Sequence, residues 1–182
     1  HIPSLKVATK LPGSVYEGPS VKISDFDDRP VDGAAIIADK APRLLVMEGH
    51  FQQGRLYEKH RERITGWFAD SLPPSHESNG CLAVHVRLGD YGGLGWELPV
   101  SYYAWCAREV RALCSTVRCF VCSDDYGPKL TPYLQALEPV HPQPLSKGDT
   151  FHDLAIIMGA RFVVSSNSTF SWWGAFLGRA EY

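Results

Sequence analysis

The chain has 182 residues, enough for one generous domain or for one domain plus part of a second. A hydrophobic content of 45% excludes a disordered segment, and a net charge of -2 without a Lys/Arg run leaves no electrostatic footprint for nucleic acid or for an anionic membrane surface. No apolar run approaches the roughly 20 residues that cross a bilayer.

The opening HIPSLKVATKLPG lacks the apolar core of a signal peptide and an initiator Met, which points to a processed product or a fragment. Residues 1–42 are rich in Pro, Gly and Asp and read as irregular surface structure. The carboxylates of ISDFDDRPVDG suit a solvated turn better than a metal site. RLLVMEG (Arg43 to Gly49) is a short apolar strand. Tyr57, His60, Ile64, Trp67 and Phe68 then recur at helical spacing and predict an amphipathic helix over about Gly54 to Asp70. LPPSHESNG is a linker and the expected domain edge, dividing residues 1–79 from 80–182.

CLAVHVRLGDY (Cys81 to Tyr91) alternates Leu82, Val84 and Val86 with Ala83, His85 and Arg87, the period of a strand with two faces. Gly89 and Asp90 break the period, so His85 and Arg87 fall together at the strand's C-terminal end. YGGLGWELP resembles a phosphate cradle only loosely. A helix from about Ser101, with Ser101 as its cap, carries the stripe Tyr103, Cys106, Val110 and Leu113. VRCFVCS (Val117 to Ser123) is the second strand and ends in Asp124 and Asp125. Pro128 suits the first turn of a helix reaching Leu137. Asp149 caps a further helix with Phe151, Leu154, Ala155 and Met158 on one side. RFVVSS (Arg161 to Ser166) is the third strand, and a helix follows over about Asn167 to Gly178. This alternation predicts an α/β fold, a Rossmann-like parallel sheet with helices on both faces.

The five cysteines show no disulfide-scaffold spacing. Cys119 and Cys122 form a CxxC inside a strand, where the two thiols point to opposite faces and serve neither zinc nor redox chemistry. Three strand ends carry polar groups: His85 and Arg87, then Ser123 to Asp125, then Asn167 to Ser171. A parallel sheet brings all three to one edge, where α/β proteins bind ligands. Arg87 offers a planar donor fork for a diphosphate. Asn167 or Ser168 either caps the last helix or helps to form an anion site with Thr169 and Ser171. For Asp124 and Asp125 the open readings are turn and cap residues, a metal pair, or one carboxylate accepting from guanine N1 and N2. His85 alone reads as a packed histidine; Arg87 on its face favours a site. The two tryptophans of SWWGAFL read as core.

At these residues the chain resembles the family 11 glycosyltransferases, the α-1,2-fucosyltransferases that use GDP-fucose, over about Gly49 to Gly178. HVRLGDY is similar to the family's HxRRxD-type motif, FVCSDD to its second and SSNSTFSWWGAFL to its third; EGHFQQGRLY is similar to the stretch before the first. Leu88 stands where many members carry a second arginine. The glycine-rich N-terminal opening and the segment after the third motif are missing. The resemblance therefore implies the C-terminal, donor-binding half of a GT-B-like two-domain fold, with residues 1–79 a remnant of the acceptor side. It implies inverting transfer of fucose from GDP-fucose to the 2-hydroxyl of a galactose-terminated glycan, without a metal or other cofactor. Arg87 is the expected catalytic residue, and His85, Arg87, Asp90, Asp124, Asp125, Asn167, Ser168, Thr169 and Ser171 are the expected donor-binding set. A non-catalytic GDP-binding fragment and a fucosyltransferase of other linkage, such as a protein O-fucosyltransferase, are the competing readings. Reduced-looking cysteines fit a cytoplasmic enzyme working near a membrane, and a fragment that has lost a Golgi anchor is the alternative.

Overall fold

The computed structural model describes residues 20–24, 44–48, 54–68, 80–145, 149–178 and 180. The chain divides into two compact units, His1–Phe51 and Gln52–Tyr182. In the first, β1 (Ser20–Ser24) pairs in parallel with β2 (Leu44–Glu48), in register from Ser20 opposite Leu44 to Ser24 opposite Glu48. A strand within residues 1–42 departs from the expected irregular structure. Val21 and Ile23 alternate with polar residues in SVKIS, a short β-prone pattern hidden in a turn-rich context. The expected linker lies, apart from Gly80, outside the described residues, and so do Gly49 to Gln53 of the EGHFQQGRLY stretch.

The second unit opens with α1 (Gly54–Tyr57), a 3₁₀ turn at Glu58–His60 and α2 (Arg61–Phe68), so the single helix expected here is interrupted. Then come β3 (Leu82–Val86), the one-turn α3 (Tyr91–Leu94), α4 (Val100–Leu113) and β4 (Cys119–Ser123). A 3₁₀ turn at Pro128–Leu130 leads into α5 (Thr131–Ala136), and β5 (Pro142–Pro144) follows. The unit closes with α6 (Thr150–Gly159), β6 (Phe162–Val164) and α7 (Thr169–Leu177). The four strands form one parallel sheet in the order β5-β4-β3-β6.

Every residue of β3 and β4 is buried, because helices cover both faces. On one face Leu82, Val84, Val86, Cys119 and Val121 pack with Tyr103, Cys106, Ala107 and Val110 of α4 and with Tyr133 of α5. On the other, Cys81, Ala83, Phe120 and Cys122 pack with Ile156 and Ile157 of α6. Each fully buried aliphatic side chain contributes about 1.5–3 kcal/mol. The CxxC cysteines thus lie on opposite faces, as the strand period requires.

Three local readings change. Val100 begins α4, and Pro99 at its N-cap position offers no side-chain acceptor, so Ser101 lies inside the helix rather than capping it. Leu113 is exposed at the end of the α4 stripe. In α6 the buried residues are Ala155, Ile156 and Ile157, whereas Phe151, in the first turn, is exposed. The cap of α6 is as expected: Asp149 accepts from the N–H groups of Phe151 and His152.

The tryptophans of α7 are core in a restricted sense. Trp172, Trp173 and Phe176 form an aromatic cluster with Tyr57, packed beside Ile64 and Leu177. Arg61 joins α2 to this helix, its Nη2 donating to the Gly178 carbonyl at 2.7 Å. Gly174 permits α7 to approach α6, since a Cβ there would stand 2.6 Å from the Ile157 side chain. Among the described residues no helix is long and apolar enough to cross a membrane.

Candidate functional site

The chain runs β3, β4, β5 in one direction and then returns to place β6 on the far side of β3. The connection after β3 leads to α4 on one face, and the connection after β6 leads to α7 on the other. Between the C-terminal ends of β3 and β6 the strand order reverses, and ligands of α/β sheets bind at such a point. Side chains tie this rim together. Tyr102 donates to the Ser165 carbonyl, Tyr91 to the Asn167 carbonyl, and Asn167 Nδ2 to the Trp96 carbonyl.

A cleft of about 320 Å³ opens beside it, lined by His85, Arg87, Ser123, Asp124, Asp149, Thr150, Asp153 and Phe170. Arg87 stands just past the end of β3 and is partly exposed. Its Nε lies 3.0 Å from Asp90 Oδ1 and 3.2 Å from Asp124 Oδ2, and its Nη2 lies 2.9 Å from Asp90 Oδ1. Its guanidinium carbon sits 5.5 Å from the centre of the Tyr91 ring. Nη1 has no partner among the described residues, so one arm of the fork remains available.

Asp124 is engaged by the protein itself. Its two oxygens accept from the N–H groups of Leu88 at 2.8 Å and Gly89 at 3.0 Å, so it shapes the loop that carries Arg87. A Cβ at Gly89 would lie 2.5 Å from Asp124 Oδ2, so a side chain there would displace the carboxylate that holds this loop. Asp125 does not line the cleft. Its Oδ1 accepts from the N–H of Gly127, a turn of the kind aspartate forms with its own backbone. Asp90 is exposed and acts on Arg87 as its ion-pair partner.

The third cluster divides. Ser168 is the N-cap of α7 and accepts from the Phe170 N–H, so the capping reading applies to it. Ser171 is fully buried and donates to the carbonyls of Ser166 and Ser168, which corrects its expected place among the ligand donors: its hydroxyl faces inward and is already paired. Asn167 is held by Trp96, on the rim but outside the cleft lining. Thr169 opens α7 next to Phe170, and the first-turn N–H groups that Ser168 does not cap lack intrahelical acceptors.

His85 is buried, with Nδ1 2.8 Å from Ser166 Oγ and Phe170 packed against it at 5.4 Å between ring centres. Burial pulls its pKa down to about 4; the nearby Asp124 charge opposes that fall and Arg87 adds to it. The ring is therefore neutral at neutral pH.

One residue escaped the sequence reading. Asp153, one helical turn beyond the cap Asp149, lines the cleft with Oδ1 buried and without a hydrogen-bond partner. Burial raises its pKa; the neighbouring His152 opposes the rise, and Asp149 adds to it. A lone carboxylate beside the apolar run Leu154–Ile157 was the signal available in the sequence.

A larger cavity of about 520 Å³, lined mainly by Trp105, Val110, Phe162, Val164, Trp172 and Phe176, lies beside β6 and shares no lining residue with this cleft. Its lining offers no cationic side chain for an anionic ligand, so the smaller cleft is the better candidate. Among the described residues no cluster of three or more His, Cys, Asp or Glu side chains is arranged to hold a metal ion.

No family model and no curated protein matches this sequence. Among solved structures, the chain is similar to POFUT1 in complex with GDP-fucose at 14% identity and a TM-score of 0.44, covering 73% of this chain and 49% of that one. It is also similar to POFUT1 in complex with GDP at 15% identity and a TM-score of 0.45, covering 75% of this chain and 54% of that one. The chain spans about half the length of the POFUT1 structures it matches.

Proposed function

We propose that the second unit is the donor-binding half of an inverting glycosyltransferase that takes GDP-fucose, and that the acceptor is the 2-hydroxyl of a galactoside. The observation that carries this reading is the cleft at the strand-order reversal, lined by Arg87 and His85, whose Nη1 and Nε2 have no protein partners among the described residues, and by Asp153, whose Oδ1 is enclosed and unpaired. A guanidinium arm suits a diphosphate, and the Asp153 carboxyl, whose enclosed Oδ1 turns into the cleft to pair, suits the N1–H and N2–H donors of guanine. This moves the guanine-binding carboxylate from Asp124, whose oxygens hold the Arg87 loop, to Asp153. The resemblance of HVRLGDY and SSNSTFSWWGAFL to family 11 fucosyltransferases supports fucose as the sugar.

In such a transfer the acceptor hydroxyl attacks the anomeric carbon as the bond to the β-phosphate oxygen breaks on the opposite face. Negative charge grows on the departing diphosphate while the sugar takes on oxocarbenium character. Donors fixed in advance at that oxygen lower the barrier. Arg87 supplies this role through Nη1, and the uncapped N–H groups of the first turn of α7 assist at Thr169. The ion pairs with Asp90 and Asp124 hold the guanidinium in place before the donor arrives. The cleft also contains Asp149 and Asp153, and burial raises the pKa of Asp153.

Titration calorimetry with GDP, ADP and GDP-mannose, paired with a fucose-transfer assay on galactosides, tests the proposal. Saturable binding of GDP with weaker binding of ADP is expected; equal affinity for the two bases would reject the guanine assignment. Binding of GDP-fucose without transfer to any acceptor would leave a nucleotide-sugar-binding module. Transfer to a protein hydroxyl instead would change the linkage.

A further inference from the structure

We infer that Ser166 is a positioning residue that fixes the ring tautomer of His85, so that His85 presents Nε2–H as a donor to the cleft; the consequence for base selection rests on the guanine reading above. Ser166 is buried, and its hydroxyl has one partner among the described residues, His85 Nδ1 at 2.8 Å. A hydroxyl carries a single hydrogen, and a buried O–H without an acceptor is costly. If Nδ1 bore the proton, that proton would point at Oγ and the Ser166 hydrogen would have nowhere to go. The pairing is satisfied when Ser166 O–H donates to Nδ1, which places the ring proton on Nε2.

The seryl group is itself held. Ser171 Oγ–H shares its one hydrogen between the carbonyls of Ser166 at 3.3 Å and Ser168 at 3.2 Å, and Tyr102 donates to the preceding carbonyl of Ser165 at 2.9 Å. Phe170 packs against the imidazole and restricts its rotation. Nε2 has no protein partner among the described residues and is not one of their fully enclosed, unpaired atoms, so it remains reachable from the cleft that His85 lines. The depressed pKa keeps the ring neutral, so a single ring nitrogen carries hydrogen at neutral pH.

A donor at Nε2 and an acceptor at Asp153 make an unlike pair. Guanine offers a carbonyl at O6 beside donors at N1 and N2, which matches that polarity. Adenine offers an amino group at C6 and an unprotonated N1, which does not. Ser166 therefore contributes to base choice without touching the base.

The test is nitrogen NMR of the full chain labelled at histidine, with the His85 signals assigned through His85→Gln. The expected result is a protonated Nε2 and an unprotonated Nδ1 displaced by an accepted hydrogen bond. Ser166→Ala should abolish the displacement, and Ser166→Thr should restore it. In calorimetry the Ala variant should bind GDP roughly fivefold more weakly, the effect of one hydrogen bond, with ADP affinity unchanged and the Thr variant near the original. A protonated Nδ1 in the unmodified chain, or signals indifferent to Ser166→Ala, would overturn the inference. Should Ser166→Ala fail to fold, the unmodified chain and Ser166→Thr still decide the tautomer. That measurement needs no nucleotide: correct nitrogen signals with no response to GDP would reject the guanine reading while leaving Ser166 in its role.

Discussion

The two faces of the sheet treat polar groups in opposite ways. On the face covered by α4 and α5, the tyrosine hydroxyls are paired with backbone carbonyls: Tyr103 with His85, and Tyr133 with Leu98. Burial pushes the pKa of Tyr133 on α5 upward, and that of Tyr102 on α4 up to about 12. On the face covered by α6 and α7, the rim keeps an unpaired guanidinium arm, an imidazole nitrogen and a carboxylate oxygen. One face is complete by itself; the other leaves polar atoms without protein partners among the described residues. The contrast locates the candidate site better than cavity size does, since the larger cavity beside β6 has no cationic side chain in its lining.

The comparison can be broken by substitutions on each face. The largest effect falls on turnover. In the complete enzyme Arg87→Ala should lower kcat by about 10²–10³, as loss of one leaving-group donor does, with the melting temperature nearly unchanged; a loss below tenfold would remove Arg87 from that role. On the closed face, Leu82→Ala should cost about 2–5 kcal/mol of stability in denaturant titration, with GDP affinity unchanged in the folded fraction. A Leu82→Ala variant as stable as the original would mean that the β3 core is not packed as described.

The rim also sets a pH dependence. His85 has a folded pKa near 4 against about 6.5 when unfolded, so between those values the unfolded chain binds the additional proton. Stability should therefore be fully present above about pH 6.5 and fall as pH drops toward 4. His85→Gln should flatten this part of the stability–pH curve, and an unchanged slope would count against a buried neutral imidazole. The smallest expected effect is chemical. Burial raises the thiol pKa of Cys81 to about 11 and of Cys119 to about 12, and raises that of Cys122 further, so at neutral pH these thiols should resist alkylation. Half-buried Cys114 should react first in a mass-spectrometric time course.

The sheet was legible in the sequence where one pattern dominated. LAVHV and CFVCS show their period directly, and Asp149 precedes a helix with no competing cap. Ser101 was misread because Pro99 and Val100, which start α4 without a side-chain cap, carry no marker of their own. The inward turn of Ser171 depends on carbonyls at Ser166 and Ser168, and no spacing rule reports where a hydroxyl points. That Asp124 holds the Arg87 loop while Asp153 Oδ1 is left unpaired has a similar cause. Which carboxylate is engaged by Leu88 and Gly89 and which is left unpaired is a matter of tertiary approach across elements far apart in sequence.

The most direct test is backbone NMR of the chain titrated with GDP. The account predicts shifts confined to the loop from His85 to Tyr91, the start of α6 from Asp149 to Asp153, and the start of α7 around Ser168 to Phe170. Shifts centred instead on Trp105, Phe162 and Trp172, or no saturable change at all, would contradict a nucleotide site at the reversal of strand order.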